Sequence, residues 1–119
     1  MRMILVLVLA LAEAGAQAAP LPAPARAEVD ALLTRLQSSG CQFNRNGSWY
    51  NGADAKTHLL RKLEYLEKKD LVKNAEQFID LGASSSSSSG KPYMVKCGSA
   101  APLESKAWLG AELKAIRAH

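Results

Sequence analysis

The chain has 119 residues, a net charge of +4 and two cysteines. That length holds one domain and not two. The charge is mildly basic but unclustered, since the densest pair, Lys68-Lys69, sits beside Glu64, Glu67 and Asp70. The basic stripe interleaved with aromatics that marks a nucleic-acid binder is missing, which leaves only a weak attraction to anionic surfaces.

In chain order, Arg2 gives a positive start, Met3–Leu11 an unbroken apolar run and Ala16-Gln17-Ala18 a small-x-small cleavage site. This is the layout of a secretory signal peptide over residues 1–18. The run is too short to span a membrane as a helix, which takes about 20 apolar residues, and no second run follows. The expectation is a periplasmic protein, released by cleavage near Ala18 into an oxidising, ATP-free compartment. Residues 19–25 alternate Ala, Pro and Leu until Arg26 is reached and predict a flexible, polyproline-like leader. One small domain over 26–119 follows.

From Arg26 the spacing turns helical. Val29, Leu32, Leu33 and Leu36 share a face, and Ser38-Ser39-Gly40 ends the helix with Gly40 as a left-handed cap. Cys41–Asn44 and Ser48–Tyr50 flank Arg45-Asn46-Gly47. Asn-Gly suits a two-residue turn with positive φ at both positions, so a short hairpin is expected, with Cys41 and Phe43 on one face. A second helix opens at Asn51-Gly52, capped by Asn51 or Asp54. Its stripe is Ala55, Leu59, Leu63 and Leu66, with Arg61, Lys62, Glu64, Glu67 and Lys68 outside it. Asp70 begins a break. Asn74 and Gln77 resemble a capping box for a short third helix that buries Phe78 and Ile79 and stops at Gly82. Six serines, Ser84–Ser89, bury no apolar area and predict a solvated, mobile loop. Tyr93–Cys97 alternates as a strand, and Pro92 at its entrance suits an edge. Pro102 marks the start of a last helix with Trp108, Leu109, Leu113 and Ile116 on its apolar face.

Two cysteines in a secreted chain read as one disulfide, Cys41–Cys97. A metal site lacks partners at ligand spacing, and a redox pair lacks its CxxC. Closing so long a loop is worth roughly 4 kcal/mol on the chain-entropy view. The bond would tie the first hairpin strand to the third strand. The simplest architecture is α+β: a small antiparallel sheet, hairpin plus one strand, packed against about four helices.

The order of these pieces carries a resemblance. Cys41-x-Phe43-x-Arg45-Asn46-Gly47-x-x-Tyr50 comes first, then Ala55-x-x-His58-Leu59-x-x-Lys62-Leu63 and Phe78-Ile79. Ser88-Ser89-Gly90-Lys91-Pro92-Tyr93-x-x-x-Cys97 and Trp108-Leu109 complete it. Together they resemble the YfeK-like family of small periplasmic bacterial proteins, a domain of unknown function, over essentially the whole mature chain. The resemblance implies a periplasmic, disulfide-bearing, non-enzymatic domain of a Gram-negative bacterium, and it carries over no catalytic residue. The serine run is longer than the resemblance leads one to expect.

Few residues invite chemistry. Ser89-Gly90-Lys91 fails as a phosphate loop, because Ser85 stands where an earlier Gly is needed and Pro92 where Ser or Thr is needed. Ser89 and Lys91 fail as nucleophile and base, because nothing buries Lys91 to lower its pKa. His58 lies four residues after Asp54 on one helix, so the two can meet in a structural hydrogen bond. No catalytic residue, metal site or cofactor is expected. The candidate partner-binding residues are Arg45, Asn46 and Tyr50 on the hairpin, with Ser89, Gly90, Lys91 and Tyr93 on the serine loop and its exit. They fit a monomeric binding or accessory domain for an envelope protein or glycan, with Trp49 or Tyr50 capping the core. The alternative is an inhibitor of a cell-wall hydrolase that inserts the Ser89-Gly90…Tyr93 loop into its target. A small hydrolase centred on His58 is a third reading.

Overall fold

The structure is a computed structural model that describes residues 20–118. The expected signal peptide and its cleavage site lie outside the described residues. The elements in order are α1 (Ala23–Ser38), β1 (Gln42–Arg45), β2 (Ser48–Tyr50), α2 (Gly52–Lys68), α3 (Ala75–Gly82), β3 (Met94–Lys96), β4 (Leu103–Glu104) and α4 (Ser105–Arg117). The α+β class, the four helices and the disulfide are all present. The sheet gains one strand beyond the hairpin-plus-one arrangement, and its order is β2-β1-β3-β4, antiparallel throughout.

Three local departures follow from packing that periodicity does not register. First, α1 starts at Ala23 rather than Arg26, with Pro22 as N-cap in an extended conformation. Pro24 costs nothing there, because the first turn of a helix has unpaired N–H groups in any case. Leu21 is buried, and its backbone N–H donates to Glu67 Oε2 at 2.8 Å. From Leu21 onward the expected leader is therefore docked. Second, Pro102 does not open α4: Leu103–Glu104 first pair with Val95 and Met94, and the helix begins at Ser105. Third, β3 lies between β1 and β4, so it is interior, and Pro92 sits just ahead of it in an isolated bridge with Ser85.

The hairpin forms as its turn chemistry dictates. Asn46 and Gly47 both have positive φ, 52° and 88°, and Arg45 faces Ser48 across the two-residue turn. Phe43 stands opposite Tyr50 on one side and Val95 on the other. That sheet face turns toward the helices, and the Phe43 ring meets Trp108 of α4 edge-on at 5.8 Å. The register continues to Cys41 and Cys97, whose Cα atoms are 4.2 Å apart and whose sulfurs are bonded. Trp49 pairs with Asn44 on the opposite sheet face and stays 43% exposed, so it does not cap the core. Beneath the sheet, Val29, Leu32, Leu33 and Leu36 of α1 join Leu59, Leu63 and Leu66 of α2, Phe78 and Ile79 of α3, and Leu109 and Leu113 of α4 in one apolar cluster.

The caps are specific. Asn51, not Asp54, caps α2, its side chain accepting from Asp54 N–H at 2.8 Å. Asn74 accepts from Gln77 N–H at 2.8 Å, but the Gln77 side chain accepts from Lys73 N–H rather than from Asn74, so the box is shifted by one residue. Replacing Asn74 with Ala is expected to cost about 1 kcal/mol, read as a lower urea midpoint with an unchanged slope. An unchanged midpoint would show that solvent replaces the cap freely.

Candidate functional site

Helical spacing sets up one wall of a cleft. Asp54, His58 and Lys62 follow at i, i+4 and i+8 along α2, flanking the buried stripe, so they share a face. The hairpin supplies the opposite wall with Phe43, Arg45 and Tyr50, and Tyr93, just before β3, supplies part of the floor. The cleft between them encloses about 260 Å³.

Tyr93 is its pivot. The ring is buried, 7% exposed, and its hydroxyl lies 3.0 Å from His58 Nε2 and 3.1 Å from Lys62 Nζ. Lys62 also donates to the Ser85 carbonyl at 2.9 Å and lies over the Tyr93 ring, 4.9 Å from its centroid. An ammonium has only donors, so Lys62 uses the phenol oxygen as an acceptor. The phenol proton is then free to reach His58, whose Nε2 accepts it as part of a neutral imidazole. Burial holds the His58 pKa below its ordinary value, and the nearby charges of Arg45, Lys62 and Arg61 push it down further. Lys62 is likewise lowered by burial and by Arg45, while burial raises Tyr93 against an opposing pull from Arg45.

The sign of the His58 shift fixes a pH dependence. A neutral histidine in the folded state that protonates near 6.5 when unfolded stabilises the fold above that pH. This contribution is lost as pH falls through the depressed folded value. An NMR titration of the His58 ring is expected to give a midpoint below 6.5, moving upward in Arg45→Gln. A midpoint at or above 6.5 in the parent protein would contradict the network.

The second part of the site is the serine run, which folds into a hydrogen-bonded loop while Ser87, Ser88 and Ser89 stay exposed to solvent. Ser84–Tyr93 folds back on itself. Tyr93 N–H donates to Ser84 O, Ser86 N–H to Lys91 O and Gly90 N–H to Ser86 O, each at 2.9 Å. Ser86 is buried, and its hydroxyl accepts from Asn46 Nδ2 at 3.1 Å and, at longer range, from the N–H groups of Ser88 and Ser89. The Ser89 hydroxyl donates to Asn46 Oδ1 at 2.6 Å. Serine suits this segment because its short hydroxyl pairs with nearby backbone.

Of the residues singled out from the sequence, Arg45, Asn46, Tyr50, Ser89, Gly90 and Tyr93 are therefore gathered on one side of the molecule. Arg45 stacks on the Tyr50 ring at 5.1 Å. Lys91 is exposed at the same rim, its backbone held by Ser86 and Ser89. Tyr93 does not project outward with the loop; its ring is buried, while Ser89 and Gly90 are exposed. His58 bonds to Tyr93 rather than to Asp54. Arg61 lines the cleft and Lys62 points into its floor, although helical spacing set both outside the apolar stripe. The Asp54–His58–Lys62 spacing was the signal that could have found Lys62.

Among the described residues, no helix is long and apolar enough to cross a membrane. Over residues 23–117 the chain matches the family of unknown function DUF5329, and it belongs to that family. It is similar to the uncharacterized protein YfeK of Salmonella typhimurium strain LT2, with 44% identity over 68 residues. That match covers 56% of this chain and 55% of YfeK, so the chain spans about half the length of the curated relative it matches. No solved structure matches the chain.

Proposed function

We propose that the chain is a non-catalytic binding domain of the bacterial cell envelope, acting in the periplasm, and that its envelope protein or glycan partner enters the cleft between the hairpin and α2. The observation that carries this reading is a charge imbalance on a fixed frame. Arg45 and Arg61 line the cleft and Lys62 lies beneath it against Tyr93, and among the described residues none of the three takes part in an ion pair. Ser85 and Tyr93 hold Lys62 beneath the cleft, but Arg45 and Arg61 are repelled by it and by each other, with Asp54 the one acid on the lining to offset them. A ligand that supplies the missing charge relieves that repulsion. The Asn46–Ser86 and Asn46–Ser89 bonds join the hairpin tip to the serine loop, so the rim is held in place before any partner arrives.

The test passes an envelope extract over the immobilised mature protein and over an Arg45→Ala/Arg61→Ala variant of equal stability. Eluted proteins and glycans are identified by mass spectrometry. A recurrent species that the variant loses, recovered chemically intact, is the expected result. A species held equally by both proteins would overturn the cleft as the site. A species recovered cleaved only from the parent would overturn the non-catalytic reading.

A further inference from the structure

The lining of the cleft narrows the ligand further, an argument that rests on the binding-domain reading above. Its volume of about 260 Å³ lies just below the range of drug-sized pockets, about 300–1,000 Å³. It therefore admits one ring and its substituents, not a helix or a long peptide. Its apolar and aromatic lining is Phe43, Leu59, Tyr50 and Tyr93, while Asp54 offers a carboxylate and Thr57 a hydroxyl. An aromatic lining beside such groups suits a ring that has both an apolar face and hydroxyls.

The cations are not equivalent. Lys62 is already committed to Ser85 O and the Tyr93 hydroxyl. Arg45 has one long hydrogen bond, 3.4 Å to the Tyr50 hydroxyl, which leaves most of its five donors free. Arg61 is exposed at the rim. Two guanidinium groups favour a planar acceptor that can be gripped by paired N–H groups. Asp54, on the same lining, repels a doubly charged phosphate more than a singly charged carboxylate. The N-terminal N–H groups of α2, the other usual seat for phosphate, are partly occupied by the Asn51 cap.

We infer that the cleft binds a carboxylate-bearing sugar ring, of the kind found in acidic cell-envelope glycans, with the carboxylate on Arg45 and Arg61 and the ring against the half-buried Tyr50.

Calorimetric titration of the mature protein with N-acetylmuramic acid tests this. Its two chemical halves, N-acetylglucosamine and lactate, serve as comparisons, together with inorganic phosphate. The acidic sugar is expected to bind at least about tenfold more tightly than either half, since a charge-assisted bond and a ring contact are each removed. Arg61→Gln, an exposed position that leaves the core untouched, is expected to weaken it by about tenfold and to leave the melting temperature unchanged. Equal binding of N-acetylglucosamine would overturn the carboxylate, equal binding of lactate the ring, and equal binding of phosphate the choice of anion. No binding of the acidic sugar would overturn the inference outright. The broader reading is judged separately, because the envelope extract can still lose a partner in the Arg45→Ala/Arg61→Ala variant when the acidic sugar fails.

Discussion

Reducing the Cys41–Cys97 disulfide is expected to lower the melting temperature by roughly 15–30 °C, the largest single effect available in this fold. The two cysteines are 56 positions apart. Opening a loop of that length releases chain entropy in the unfolded state worth roughly 4 kcal/mol, against a typical total of about 5–15 kcal/mol. The enclosed segment contains the hairpin, α2, α3 and the serine loop, so both walls of the cleft lie within it. Thermal melting with and without a phosphine reductant, followed by circular dichroism, measures the effect. A shift below about 5 °C, equivalent to roughly 1 kcal/mol, would mean that the sheet register alone holds β1 against β3.

The second large effect comes from one missing side chain. A Cβ on Gly52 would lie 2.5 Å from the Leu36 carbonyl oxygen and 2.8 Å from that of Gln37. Both are backbone atoms at the end of α1, so neither can rotate away. Ala would improve helix propensity at an ordinary position, but here α1 and α2 must separate. Gly52→Ala is therefore expected to cost about 1–3 kcal/mol. Gly110, within α4, is the control, since a Cβ there meets nothing within 4 Å. Gly110→Ala is expected to stabilise by roughly 0.5–1 kcal/mol. Urea denaturation of the two variants checks both signs. A neutral or stabilising Gly52→Ala would show that the helix ends do not approach so closely.

The contrast between these glycines shows what the sequence made legible. Both are helical, and composition treats them alike. Only the approach of α1 to α2 separates them, and that approach depends on residues 15 and 16 positions earlier in the chain. Features governed by local chemistry could be read directly: the Asn46-Gly47 turn, the Gly40 cap at φ +74° and the Asn51 and Asn74 caps. The one-face sets Cys41/Phe43 and Tyr93/Val95/Cys97 also follow from strand alternation and stand in the register.

What stayed hidden depends on partners distant in sequence. β4 has two residues and no periodicity of its own, and it exists because β3 offers it an edge. The serine run looked like a solvated tether because serines bury no apolar area. Its hydrogen-bonded fold comes from hydroxyls that pair with backbone and with Asn46, 40 positions away. The candidate site was legible in the same uneven way. Its rim residues stood out through turn chemistry, but its buried centre, Tyr93 with His58 and Lys62, joins positions 31 to 35 residues apart. A lysine at the edge of an apolar stripe reads as solvated unless the acceptors that await it are known.

Site-specific photocrosslinking in living cells addresses the central claim, that partners engage the cleft, most directly. A photoreactive residue replaces Thr57, an exposed position on the cleft lining that leaves Arg45 and Arg61 in place, and in separate strains it replaces Leu71 or Lys114, which lie outside the cleft lining and are exposed. A discrete adduct from position 57, absent from positions 71 and 114, is the predicted result. Adducts from positions 71 or 114 with none from position 57 would place the working surface elsewhere and contradict the account.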